Sequence, residues 1–224
     1  MSLNVSAIWK LKRLKWILLV AVAFGTVSPS YILYFAMNEP TPDVLHWYPM
    51  RVTYSRELQT KSFLESVGVE CFIPMRYEQI DGRHPRHQEL RPAIHNLIFV
   101  HASQSWITEM KMTRREMAPI RYMMRPVHDD KGQTVRHEII VVPDLQMDNF
   151  MRVASIADDR VFFIENLDFA GKPGQRVRVV DGDFAGVEGI IKRVKKNKRV
   201  VVQIEHVAAV AIAFLPSVYL EPIE

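Results

Sequence analysis

Few residues in this chain have types and spacing that could do chemistry. His84, His87 and His95 lie close together, and imidazole is a common zinc ligand. They have no Cys partner and no carboxylate pair at ligand spacing, and Pro85 stands among them. A solvated loop is therefore expected, with no metal and no cofactor. Cys71, the single cysteine, sits in an apolar stretch, as a small core residue does, rather than beside a base that would make it a nucleophile. One cysteine also excludes an internal disulfide. The sequence contains no GxSxG, phosphate-binding glycine loop, HExxH or paired-acid pattern, so the expectation is a binding protein and not an enzyme. One cluster remains. KRVKKNKR at 192–199 places Lys195, Lys196 and Lys198 at a hairpin tip, where they could neutralise nucleic-acid phosphates. A solvated tip is the alternative, and both stay open.

The surrounding chain has 224 residues, 48% hydrophobic and 24% charged, with 9 Gly and 13 Pro, which excludes collagen, low-complexity polymer and wholesale disorder. The net charge of +4 comes from the N-terminus, where Lys10, Lys12, Arg13 and Lys15 stand with no acid before residue 37. Residues 37–171 hold 16 basic and 19 acidic residues, and 172–224 hold 9 and 6. The body is thus no general polyanion binder, and the change of sign near 171 suggests two units with different partners. After the basic cluster, 16–38 carry no charge. That stretch has the character of a signal peptide or a membrane anchor, although Gly25–Ser30 with Pro29 makes a poor bilayer centre.

The elements that must position these residues follow from periodicity. Leu45–Tyr54 is expected as a buried strand, and Arg56–Val67 as a helix capped by Ser55 and ended by Gly68, with Leu58, Phe63, Leu64 and Val67 inward. Glu70–Ile80 and Ile94–His101 are expected strands, with an exposed loop at 81–91 between them. Ser103–Met117 and Asp144–Ala154 are expected helices, the first around Trp106, Ile107 and Met110, the second around Leu145, Met147 and Phe150. Ile120–Arg125 and Glu138–Val142 are expected as further strands about a turn at 129–132. After a connector at 156–173 the pattern turns to short β-branched strands at 177–180, 190–194, 200–204, 207–215 and 218–220, a small barrel. The fold class is α+β: an α/β sandwich at 46–155 and an all-β barrel at 174–224.

Two segments carry more specific information. GQRVRVVDGDFAGVEGII at 174–191 resembles the KOW motif of NusG-type transcription factors and some ribosomal proteins, through Gly174, Val177, Val179, Gly182, Phe184, Gly186 and Gly189. Gly182 and Gly186 suit positive φ, Phe184 suits a barrel plug, and Gly189 suits close backbone approach. HWYPMRVTY at 46–54 and RPAIHNLIFV at 91–100 resemble the N-terminal (NGN) domain of the same factors. Ile94-His95-Asn96-Leu97 departs from that family's aromatic-Pro-Gly-aromatic pattern. The 81–91 loop and the 126–138 insertion resemble those of the UpxY-type specialised paralogues of Bacteroidetes, antiterminators of polysaccharide operons.

The resemblance implies a cytoplasmic, monomeric transcription elongation or antitermination factor with an SH3-like KOW barrel. It implies docking on the RNA polymerase clamp helices, with Ile94, Leu97, Phe99 and Tyr122 as candidate contacts. It implies a second partner on the barrel, a small-subunit ribosomal protein or a termination factor, and allows a DNA or RNA contact. It also implies a start about ten residues before Trp47, near Met37, which makes 1–36 an upstream extension. The alternative from another class is a membrane-anchored or exported structural binding protein that uses 1–36.

Overall fold

The computed structural model describes residues 44–79, 88–156, 160–164, 174–194, 197–213 and 215–223. The expectations for 1–36, and for His84, His87, Lys195 and Lys196, lie outside them. Among the described residues no helix is long and apolar enough to cross a membrane.

The first half is a four-stranded antiparallel sheet with helices on both faces. Strands β1 (His46–Val52), β2 (Glu70–Phe72), β5 (Leu97–Ala102) and β6 (Ile120–Tyr122) run in the order β2-β5-β1-β6. Alternation along β1 and β5 sorts the side chains. Tyr48, Met50, Val52, Ile98 and Val100 enter one core with Leu64 of α1 (Glu57–Ser66) and Ile107 of α2 (Gln104–Thr113). Trp47, Leu97 and Phe99 enter the other, with Met147, Phe150 and Val153 of α3 (Asp144–Ala154). Two hairpins leave this body: β3 (Met75–Gln79) with β4 (Gln88–Pro92), and β7 (Met124–His128) with β8 (Thr134–Ile139).

Several local expectations need correction. Glu70–Ile80 is two strands in different sheets, because Pro74 has no N–H to continue the ladder and the chain turns there. Ser55 does not cap α1. It sits at φ 52 after Tyr54 at φ 64, whereas a capping residue needs extended backbone. The inward stripe of α1 is Glu57, Thr60 and Leu64, at i, i+3 and i+7, so Leu58 and Val67 lie off it and are exposed. Leu145 likewise falls off the Met147–Phe150–Val153 stripe and is exposed. Gly68 takes φ 75 just beyond α1, as expected of a glycine that ends a helix. At α2 the structure adds a cap that the sequence reading did not name: Ser103 Oγ accepts from Trp106 N at 3.2 Å.

The second half is a six-stranded sheet in the order β14-β10-β11-β12-β13-β9. Its strands are β9 (Val161–Phe163), β10 (Arg176–Val179), β11 (Glu188–Val194), β12 (Asn197–Ile204), β13 (Ala208–Ile212) and β14 (Leu220–Pro222). Gly182 and Gly186 have φ 81 and 86, and Phe184 is buried, as the motif requires. A Cβ on Gly189 would stand 2.8 Å from Val200 Cγ1 and 2.9 Å from the Val201 carbonyl oxygen, so only glycine lets β11 and β12 approach this closely. β9 lies inside the stretch expected as connector. Its Val-Phe-Phe-Ile run pairs with β13 and buries apolar surface that a linker would expose.

Candidate functional site

Three surfaces could serve a binding protein. The first is the edge of the sheet where β1 runs into α1. Arg51 of β1 lies opposite Arg121 of β6. Arg56 and Arg115 line one groove with Gln59, Thr60, Glu116 and Pro119. Arg114 and Lys111 come from the end of α2, and Lys111 lies over the Tyr122 ring at 5.3 Å. None of these six cations is ion-paired to an acid among the described residues. Burial pushes the Lys111 ammonium pKa down, and the nearby Arg121 charge pushes it further the same way. Such mutual repulsion is relieved by an anion.

Tyr54 belongs to the same edge. The residue is 84% exposed, its backbone is left-handed, and the Arg56 guanidinium lies 5.8 Å from its ring centroid. Two consecutive non-glycine residues at positive φ store strain that the surroundings must hold in place. Here the hold is hydrogen bonding: Val52 N donates to Asn96 O at 3.0 Å and Thr53 N to Pro119 O at 3.1 Å. Asn96 N in turn donates to the buried Glu57 carboxylate at 2.5 Å. An exposed aromatic ring beside arginines without an acid partner among the described residues is the arrangement on which nucleic-acid bases stack and phosphates pair. Sequence reasoning passed over this edge because its members come from β1, α1, α2 and β6, and no local cluster in the sequence marks it.

The second surface holds the candidate docking residues. Leu97 and Phe99 are fully covered, and Phe99 lies 5.6 Å from the Phe150 ring of α3. Ile94 is half-buried and packs on that same core. Tyr122 is half-buried on the opposite core and stacks edge-on against Tyr48. Burial raises the Tyr122 pKa, and its buried hydroxyl has no hydrogen-bond partner among the described residues. The four candidates therefore divide between the two faces of the sheet. His95, between Ile94 and Asn96, is exposed. Cys71 is half-buried, and desolvation, aided by the Glu65 charge, pushes its thiol up to about 11.

The third surface is where α3 meets the barrel. Three side chains of α3 bond to barrel backbone: Gln146 Nε2 donates to Gln203 O at 2.8 Å, Asn149 Oδ1 accepts from Glu188 N at 3.2 Å, and Arg152 Nη2 donates to Ala185 O at 2.6 Å. They recur at i, i+3 and i+6, one stripe of the helix, while Met147, Phe150 and Val153 face the sheet and the shared core. A groove of about 290 Å³ remains beside them, with Arg176 and Glu188 on its wall. Of the basic hairpin, Lys198 is exposed. Lys192 donates to Gln203 Oε1, and Arg199 lies over the Phe162 ring at 4.8 Å and bonds Ala213 O.

Comparison with protein families gives two matches in order. Residues 45–151 match the family described as transcription termination factor NusG, and residues 173–205 match the KOW motif. One stretch of the chain is thus similar to the NusG family, and the stretch after it is similar to the KOW motif. The NusG match ends within α3, and the KOW match covers β10, β11 and β12. The fold, an α+β NusG domain with a C-terminal β-sheet domain, thus stands as its sequence suggested. Among solved structures, one on domain interaction in Thermotoga maritima NusG is similar at 19% identity. That match covers 80% of this chain and 98% of that one, with a TM-score of 0.39. A structure of the MjSpt4:Spt5 complex is similar at 12% identity over 79% and 96%, with a TM-score of 0.26. No curated protein sequence matches the chain.

Proposed function

We propose that this protein is a cytoplasmic transcription elongation and antitermination factor that docks on the RNA polymerase clamp helices through its NusG domain and recruits a second protein through its KOW barrel. The observation that carries the reading is the pair of family matches in this order on one chain. The recruited protein is a small-subunit ribosomal protein or a termination factor, and the regulated unit is an operon of the polysaccharide type served by UpxY-like paralogues. The Tyr54 edge, with six cations that have no acid partner among the described residues, supports a DNA or RNA contact beside the polymerase. Lys195, Lys196 and Lys198 are another place where phosphate could be met.

Docking buries apolar surface, so a charge placed within it costs several kcal/mol. Ile94 and Tyr122 keep partial exposure and are the first to change. Leu97 and Phe99 support the surface from beneath α3. The test is capture of purified core polymerase by the tagged protein, with circular dichroism on each variant. Ile94→Asp or Tyr122→Asp is expected to lower capture at least about tenfold while the far-ultraviolet spectrum stays unchanged. A folded wild-type protein that captures no polymerase would defeat the reading. Folded variants that capture normally would move the docking surface elsewhere on the domain.

A further inference from the structure

We infer that the barrel begins at Arg160 rather than after the connector, and that a leash of only five residues therefore ties it to α3. Two independent sets of contacts carry this. The first is the ladder. β9 pairs with β13 through Phe163↔Val210, Phe162↔Ala211 and Val161↔Ile212. Backbone bonds extend it at both ends, Ala213 N to Arg160 O at 2.5 Å and Ile164 N to Ala209 O at 2.9 Å. The other is side-chain packing. Phe162 and Ile164 cover Val201, Ala209 and Ala211, an apolar strip on the face of β12 and β13 turned away from the main core. Arg199 lies on the Phe162 ring. Arg160 pairs with Asp183 at 2.5 Å and lies over Phe184, the barrel plug. Ala209 and Ala211 of β13 are buried under Phe162 and Ile164, on the face opposite the main core that takes Ala208, Val210 and Ile212.

The reach of the barrel follows from covalent geometry. Ser155 to Arg160 spans at most about 18 Å, at up to ~3.6 Å per residue. If the chain from 156 to 173 were all free, Ser155 to Gly174 could span about 68 Å on the same scale. If α3 were to release the barrel, β9 would leave with it, and the two domains would stay within one domain's width of each other. Given the reading that the NusG domain docks on polymerase and the barrel recruits, the recruit is held at the polymerase surface. A short tether of this kind gives an effective concentration in the millimolar range.

The test needs no polymerase, so it can fail while the functional reading stands, and the reverse. Amide hydrogen exchange on the full chain reads Ile164 and Ala213 directly. Both are expected to exchange at least about 100-fold more slowly than unstructured chain, in step with the barrel amides Val179 and Val187. Exchange faster than that would overturn the inference. A distance measurement between labels at Ser155→Cys and Ala213→Cys, in a Cys71→Ser background, reads the leash. The Ala213 Cα lies across the ladder from Arg160, about 5.5 Å away, so the Ser155–Ala213 Cα separation is bounded near 24 Å. That bound is expected to hold in the wild type and in Asn149→Lys, which removes the bond to Glu188 N and puts a charge into the α3–barrel contact. Any population beyond it, after correction for the label arms, overturns the inference. The wild-type exchange measurement decides by itself if Asn149→Lys does not fold.

Discussion

Gly189 shows what one missing Cβ does. The gap between β11 and β12 at this point is set by Val200 Cγ1 and the Val201 carbonyl, and the carbonyl cannot swing away without breaking the ladder. Gly189→Ala is expected to destabilise the protein by about 1–3 kcal/mol, read from the midpoint of urea unfolding with an unchanged slope. Cys71 is legible in the same way. Its thiol is raised to about 11 by desolvation first and by the Glu65 charge after that. The neutral thiol is the form the fold prefers, so its stabilising contribution is complete below the unfolded value near 9. It is lost as pH rises through about 11. At pH 8 the thiolate fraction is about 100-fold below that of an ordinary cysteine, and alkylation by iodoacetamide is expected to slow by about that factor in the folded chain. Rapid alkylation of folded protein would show that Cys71 is open to solvent.

At the scale of elements, α3 does two jobs with two stripes. Its apolar stripe of Met147, Phe150 and Val153 closes the sheet, and its polar stripe of Gln146, Asn149 and Arg152 bonds to barrel backbone. The sequence makes the apolar stripe plain by its 3.6-residue period, whereas the polar stripe has the composition of an ordinary solvated face. Asn149 is the most informative of the three because it is buried, 6% exposed, with its oxygen on Glu188 N. Asn149→Leu leaves that N–H without an acceptor and is expected to cost about 1–3 kcal/mol in chemical denaturation. An unchanged midpoint would mean that water replaces the carboxamide, and that the α3–barrel contact is weaker than its geometry implies. β9 teaches the converse lesson. Four apolar residues between polar neighbours are too short a run to distinguish a strand from a linker, until β13 supplies the ladder partner.

For the whole molecule, the arginine edge decides whether nucleic acid is touched. Arg51, Arg56 and Arg115 changed together to Gln are expected to lower the log–log salt slope for single-stranded nucleic acid by about 0.7 for each phosphate left without its cation, with the fold intact because all three are exposed. Lys195, Lys196 and Lys198 changed to Gln make the parallel measurement on the barrel. An unchanged slope in either variant would remove that surface from nucleic-acid contact. The sequence by itself determined the fold class, the order of the two domains, the three α-helices of the described residues to within a residue or two at most ends, and the glycine and Phe184 positions of the barrel motif. These rest on local physics: periodicity, capping, and backbone conformations that only certain residues adopt without strain. Only the tertiary structure decided the arginine edge, the burial of Leu97 and Phe99 beneath α3, the polar stripe on the barrel, and the membership of β9. Each of these depends on residues far apart in the chain meeting across a strand or helix, and no local pattern records which distant backbone will lie opposite.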